Sequence, residues 1–109
     1  MYKRQLREQG IGAAVKRAVD SVGEGPVFVS VDVDVLDPVY APGTGTPEPG
    51  GMSSADLLWA CRRVAAELNV IGADVVEVLP SAIGSVDVTA TVADRIVREI
   101  LTGVALRRR

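Results

Sequence analysis

The chain has 109 residues, of which 48% are hydrophobic and 24% charged, and 12 basic against 14 acidic side chains give it a net charge of −2. This length and composition predict at most one globular domain. The charge balance and an aromatic content of 4% argue against a nucleic-acid partner, which would need a basic surface or an aromatic platform. Because the chain has no histidine, a metal site built by it alone would have only oxygen ligands. Such ligands favour magnesium, calcium or manganese over zinc.

The sequence has no leader pattern at its start and no apolar run near the roughly 20 residues that span a bilayer. We therefore expect no membrane association. Cys61 is the only cysteine and cannot form an internal disulfide. A reducing, cytoplasmic location is therefore expected.

Apolar residues at helical spacing predict the first two helices. The first covers residues 2–22 in two parts that are separated by a pair of glycines. Ser53, with Asp56 three residues later, predicts the start of a second helix that ends at about Leu68. Trp59 lies off the apolar stripe of this helix, and we expect it to pack on a neighbouring element.

Between these helices, an apolar, β-branched run that begins at residue 26 predicts a strand ending in a row of aspartates. Because strand side chains alternate, Asp32 and Asp34 should project from the same side at its carboxyl end. These carboxylates would repel each other unless a cation or a proton lies between them. Asp37 precedes Pro38 and is predicted to form a turn that holds the following Pro/Gly-rich loop. Structureless loops of this length are uncommon and usually functional.

The second half of the chain predicts one more strand and one more helix. The strand covers residues 70–79, and its near-continuous apolar character indicates that both of its faces are buried. Glu77 interrupts it, and a carboxylate there is costly to bury unless it is paired, so this residue is either functional or a satisfied structural partner. The helix covers residues 87–106, and residues 107–109 are predicted to be a frayed basic tail.

The predicted order of elements indicates an α/β fold in which two parallel strands are joined by a right-handed crossover. Two strands with both faces buried cannot form a stable sheet by themselves. We therefore expect residues 1–109 to be a single partial domain, belonging to a three-layer α/β/α parallel-sheet architecture that something else must complete.

Two motifs can be rejected for the aspartate-rich segment, and a third is only partly matched. The acids lack the spacing and the glycine of an EF-hand loop, and the glycines that follow lack the spacing of a dinucleotide-binding loop. The strand followed by D-x-D resembles haloacid-dehalogenase-like phosphatases, which would make Asp32 the nucleophile and Asp34 the acid/base. Those enzymes need a downstream lysine, whereas Lys3 and Lys16 both lie upstream.

A longer pattern, S-x-D-x-D-x-x-D-P-x-x-x-P-x-x-G-T-P-x-x-G-G, fits residues 30–51 without a gap. It resembles the ureohydrolases, the arginase and agmatinase family, and the resemblance continues through the E-V-L-P segment at residues 77–80 to the last helix. The fixed positions are Ser30, Asp32, Asp34, Asp37, Pro38, Pro42, Gly45, Thr46, Pro47, Gly50 and Gly51.

This resemblance implies a binuclear manganese hydrolase that converts a guanidino compound to urea and an amine. It implies that Asp32 bridges two manganese ions and also acts in catalysis, and that Asp34 binds one of them. Glu77 would pair with the substrate guanidinium in a catalytic and substrate-binding role, and Thr46 would lie beside that group. Agmatine, yielding putrescine, is the expected substrate, with guanidinobutyrate or another ω-guanidino acid next.

The family's remaining metal ligands come from G-G-D-H and D-A-H-x-D segments, and neither is present in a chain without histidine. We therefore interpret the chain as the carboxyl-terminal portion of a ureohydrolase and expect it to be inactive alone. The resemblance also implies a homo-oligomer, a trimer or a hexamer. The alternative from a different class is a truncated homologue that serves as a non-catalytic interaction module through its unpaired sheet edge.

Overall fold

The computed structural model describes residues 2–80 and 87–108, and the loop predicted for residues 81–86 lies outside them. The elements are α1 (Tyr2–Val22), β1 (Pro26–Asp32), a short 3-10 helix (Val33–Val35), α2 (Ser54–Glu67), β2 (Asn69–Val76) and α3 (Val88–Arg107). The two strands pair in parallel. The predicted α/β class and order of elements are therefore confirmed.

Glycines divide and end the first helix, as the sequence predicts. Gly10 has φ 79° and ψ 163°, which are non-helical values, so α1 is kinked between its two parts. Gly23, at φ +78°, adopts the left-handed conformation that commonly ends a helix, and its amide donates to the carbonyl of Val19. Val15, in the second part, is buried in the core.

The second helix begins at its predicted cap. The Ser53 hydroxyl accepts a hydrogen bond from the amide of Asp56 at 3.1 Å, which satisfies one of the free N–H groups of the first turn. The buried stripe of α2 includes Cys61, and burial, reinforced by the charge of Glu99, raises the pKa of that thiol to about 11. Trp59 was expected to pack on a neighbour, but its side chain is exposed because it points away from this stripe.

The sheet is covered on one face. Val29 and Val31 pack with the core, whereas the alternate residues Phe28 and Ser30 are exposed. On β2, Ile71 is also exposed. The burial of both faces that the apolar composition predicts is thus not present among the described residues, and the outer face of the sheet is open.

The second strand is shorter than predicted. It ends at Val76 instead of near residue 79, because Glu77 has φ 67° and so leaves the extended conformation. The ladder between the strands slips once, between Val27 and Phe28, and its last pair joins Asp32 to Val76.

An ion-pair cluster around the buried carboxylate of Glu99 connects the last helix to α2. Glu99 is only 5% exposed and accepts hydrogen bonds from Arg62 at 2.5 Å and Arg95 at 3.1 Å. Burial alone would raise the pKa of Glu99, but the hydrogen bonds and charges of the two arginines outweigh it and hold the pKa below its ordinary value. Gly103 lies against α2, where its missing side chain permits close contact with Arg62 and Ala65.

The end of α3 differs from the predicted frayed tail. Arg107 still belongs to the helix, and its guanidinium donates to the carbonyl of Glu67 at 2.8 Å. This bond to the end of α2 extends the ordered helix by one residue into the predicted tail. Within residues 2–80 and 87–108, no helix combines the length and apolar content needed to cross a membrane.

Candidate active site

Asp32 and Asp34 lie together at the carboxyl end of β1, although not as two residues of one strand. Asp32 is the last strand residue, and Asp34 lies in the 3-10 helix that follows. The Asp32 carboxylate caps this helix by accepting the amide of Asp34 at 2.9 Å. The predicted projection of both carboxylates from one side of a strand is wrong, because the chain leaves the extended conformation directly after Asp32.

The second carboxylate is held by the loop. Thr46 donates its hydroxyl to Oδ2 of Asp34 at 2.9 Å, across 12 positions of sequence. Among the described residues, this bond connects a predicted metal ligand to a predicted substrate-binding residue. Because a carboxylate oxygen has more than one lone pair, Asp34 keeps acceptor capacity for a ligand.

Asp37 organises the loop, as its position before Pro38 predicts. Its carboxylate accepts the amide of Val39 at 3.1 Å and that of Gly50 at 3.0 Å. Its own amide donates to the carbonyl of Met52 at 2.9 Å, which closes the loop at its base. These bonds confirm that Asp37 is a turn-forming residue.

A glycine pair completes this closure. A Cβ atom at Gly51 would overlap the backbone of Leu36 and Asp37, so the close approach of the two loop ends requires glycine. Gly50 has φ +83°, and its carbonyl accepts a hydrogen bond from Arg7 of α1 at 3.1 Å. The loop is thereby attached to the first helix as well.

Glu77 lies at the same edge of the sheet, directly after the ladder pair of Asp32 and Val76. Its side chain is exposed, so the expected cost of burying this carboxylate does not arise in the described residues. Its backbone has φ 67°, the only positive φ among the described non-glycine residues. Positive φ is uncommon for a residue with a side chain and is concentrated at functional sites.

Sequence reasoning missed Gly43 and Thr89. The Gly43 amide donates to the Thr89 hydroxyl at 2.7 Å, and its carbonyl accepts the amide of Leu79 at 2.8 Å. The loop, the segment after β2 and the first turn of α3 therefore meet at Gly43. The Pro/Gly-rich composition of the loop was the available signal, but it did not distinguish Gly43 from the other glycines.

The described residues fit a manganese site in ligand type but not in number. Asp32 and Asp34 offer the oxygen donors that manganese prefers. Across residues 2–80 and 87–108, however, no group of three acidic, cysteine or histidine side chains is placed to hold a metal ion. Two aspartates cannot satisfy two ions that take about six ligands each.

The architecture and this edge define the class of the protein. It is an α/β protein whose candidate site lies beyond the carboxyl ends of parallel strands, where ligands of open α/β sheets bind. The chain belongs to the arginase family, whose model matches residues 1–103. This match does not favour the phosphatase alternative, and the family resemblance is confirmed.

Individual relatives agree with this membership. The chain is 42% identical over 96 residues to an agmatinase from Chromobacterium violaceum, a match covering 88% of this chain and 29% of that relative. It is 47% identical over 76 residues to the proclavaminate amidinohydrolase of Streptomyces clavuligerus, covering 70% and 24%. A crystal structure of a hypothetical agmatinase from Burkholderia thailandensis superposes with a TM-score of 0.88 at 40% identity, covering 97% of this chain and 33% of that one. The chain thus spans a third or less of the length of these relatives.

Proposed function

We propose that this chain supplies one edge of the active site of a ureohydrolase that converts a guanidino compound to urea and an amine. The observation that carries the proposal is the linked set of Asp32, Asp34 and Thr46, placed at the carboxyl end of β1 within the family's motif. Agmatine, with putrescine as the amine product, is the first substrate of choice, because the relative from C. violaceum is named an agmatinase.

In the proposed site, Asp32 and Asp34 are oxygen ligands of a manganese pair whose other ligands come from outside the described residues. When bound, such a metal pair would supply Lewis-acid chemistry that makes water a better nucleophile. The chain's own contribution is to hold the two carboxylates at fixed positions. The Asp34 amide fixes Asp32, and the Thr46 hydroxyl fixes Asp34.

Glu77 is proposed to bind the substrate. A carboxylate and a guanidinium form two parallel charged hydrogen bonds, which fix both the position and the plane of the guanidinium. Glu77 lies next to the Asp32–Val76 ladder pair, so a guanidinium bound to it would be at the same sheet edge as the aspartates. Thr46, bonded to Asp34, would lie beside the same group.

Three further parts of the proposal follow from family membership. The isolated chain should be inactive, because the described residues do not complete the metal site. The complete protein is proposed to assemble as a homo-oligomer, a trimer or a hexamer. A reducing, cytoplasmic setting is proposed as well, and the free, buried Cys61 is compatible with it.

The test is a urea-release assay with agmatine and manganese on two samples. One is the 109-residue chain, and the other is a chimera in which this chain replaces the matching segment of the C. violaceum agmatinase. We expect no urea from the chain alone and enzyme-like release from the chimera. A folded chimera without activity would contradict the proposed function, and activity of the chain alone would contradict its proposed incompleteness.

Single substitutions in the chimera then test the individual roles. Glu77→Gln should lower kcat/KM about 10- to 100-fold, because it removes a charged hydrogen bond to the substrate. Glu48→Gln is the matched control, since Glu48 is an exposed carboxylate in the neighbouring loop. If both substitutions have the same effect, the role assigned to Glu77 is wrong.

A further inference from the structure

A buried hydroxyl joins the loop to the start of α3. Thr89 is 1% exposed, and its Oγ1 accepts the amide of Gly43 at 2.7 Å. The carbonyl of the same glycine accepts the amide of Leu79 at 2.8 Å. We call the bonds from Gly43 to Thr89 and Leu79 the Gly43 junction. It connects the loop, the segment after β2 and the first turn of α3.

The junction leaves no space for a side chain at position 43 of the loop. A Cβ atom at Gly43 would lie 2.7 Å from the carbonyl oxygen of Leu79 and 2.9 Å from the hydroxyl of Thr89. Both distances are shorter than an ordinary carbon–oxygen contact. The backbone of the loop is therefore pressed directly against its two partners, and a shift of either partner is transmitted to Gly43.

Both halves of the candidate site lie within three residues of this junction. Thr46, which holds the carboxylate of Asp34, is three residues after Gly43. Glu77, with its uncommon backbone conformation, is two residues before Leu79. Glu77 lies in a short segment that is held at both ends. Val76, before it, is the last ladder residue, and Leu79, after it, is bonded to Gly43. Thr89 thus bonds to a residue that is close in sequence to Thr46 and is bonded, through Leu79, to the segment that contains Glu77.

We infer that Thr89 is a positioning residue that sets the Asp34–Thr46 pair and Glu77 relative to each other through the Gly43 junction. Its hydroxyl reaches neither carboxylate directly, and it acts by fixing the backbone to which both are attached. The catalytic meaning of this role rests on the proposed function, because that function makes Asp34, Thr46 and Glu77 parts of one active site. The junction itself does not depend on it.

The test compares three variants of the 109-residue chain by nuclear magnetic resonance. Thr89→Val keeps the volume but removes the hydroxyl, whereas Thr89→Ser keeps the hydroxyl and removes a methyl group. Thr91→Val is the matched control, because its hydroxyl donates to the carbonyl of Asp87 in the same turn of α3 but is exposed. Three quantities are measured: amide exchange of Gly43, the nuclear Overhauser contacts between Thr46 and Asp34, and the backbone shifts of Glu77.

In Thr89→Val we expect exchange of the Gly43 amide to rise about tenfold, the strength of one net hydrogen bond. The contacts between Thr46 and Asp34 should weaken, and the Glu77 shifts should move away from left-handed values. Thr89→Ser should retain all three signals even though it lowers overall stability, and Thr91→Val should leave them unchanged. If the role of Thr89 were purely structural, the three signals would instead change in proportion to the loss of overall stability, in Thr89→Ser as well.

Two results would overturn the inference. One is Thr89→Ser behaving like Thr89→Val, which would show that the hydroxyl is not responsible. The other is faster exchange at Gly43 with unchanged signals at Thr46 and Glu77. In the active chimera, Thr89→Val should also lower kcat/KM about tenfold, with rescue by serine. An inactive parent chimera would contradict the proposed function alone, because the resonance measurements on the chain would still decide the role of Thr89.

Discussion

The two sides of α3 carry similar apolar side chains in opposite environments. Ile96 is 0% exposed and packs in the core with Val92 and Ile100, whereas Leu101 is 63% exposed and Val97 is also exposed. All five are apolar and recur at the three- and four-residue spacing of a helical stripe. Periodicity therefore does not show which apolar residues of this helix the chain itself covers.

The sheet repeats the same contrast. Its inner face contributes Val31 to the core, while Phe28 and Ile71 are exposed on the outside. Single exposed apolar residues are normal on protein surfaces, but here the exposed positions are those that the sequence predicts to be buried. The inner face of the sheet is thus packed in the core, whereas the outer face is exposed although it also carries apolar residues.

The largest difference in the free energy of unfolding should come from truncating one side chain on each side of α3, the buried Ile96 and its exposed isomer Leu101. Ile96→Ala should lower the free energy of unfolding by about 2–5 kcal/mol, because it removes buried carbon atoms and leaves a cavity. Leu101→Ala should change it by less than about 0.5 kcal/mol. Urea unfolding of both variants measures this, and similar losses would mean that the outer surface is covered in solution.

The contact between α2 and α3 should respond to added volume. In Gly103→Ala the new Cβ would lie 2.5 Å from the carbonyl oxygen of Arg62 and 2.6 Å from the Cβ of Ala65. We expect a loss of about 1–3 kcal/mol from overpacking. Gly12→Ala is the control of opposite sign, since nothing lies within 4 Å of a Cβ there and alanine favours a helix by up to ~1 kcal/mol. Equal effects in thermal melts would contradict the close helix contact.

The ion-pair cluster around Glu99 should give the smallest of these effects, and its contribution should depend on pH. Because the pKa of Glu99 is lowered in the folded state, its contribution is fully present above the ordinary glutamate pKa of about 4.3 and is lost as the pH falls through the lowered value. Glu99→Gln should cost about 1–2 kcal/mol at neutral pH, since both arginine partners are partly exposed. It should also flatten the acid limb of the stability curve.

The control for this change is Glu67→Gln. Glu67 pairs with Arg63 at 2.9 Å, but both side chains are substantially exposed, so less than about 0.5 kcal/mol is expected. Unfolding midpoints measured between acidic and neutral pH test both variants. An acid limb that is unchanged in Glu99→Gln would show that Glu99 is not the group responsible.

Local signals in the sequence were sufficient for most of the fold. The side chains of Ser53 and Asp87 cap α2 and α3 by accepting amides three residues later, so a few consecutive residues are enough to indicate where each helix starts. The burial of Glu99 depends instead on Arg62, 37 positions away, and no local period reports such a partner. Helix starts were therefore predictable, and the polar contact that joins two helices was not.

The candidate site divides in the same way. The pattern proposes Asp32, Asp34, Thr46 and Glu77 as site residues, but it does not show how their side chains are held. The bond from Thr46 to Asp34 depends on the path of the loop, and an apolar strand suggests neither the positive φ of Glu77 nor its exposure. Thr89 carries no local sequence signal, because its bond to Gly43 joins positions 46 residues apart.

The separation of the paired strands along the chain also has a consequence for the order of folding. Ser30 on β1 bonds to Asp74 on β2, 44 positions later, and a whole helix must form between them. Pairings across such separations form slowly, because the entropy of closing the chain must be lost before the contact is gained. Asp32 forms the last pair of this ladder, with Val76. We therefore expect the candidate site to be assembled late, by contacts that form after the helices.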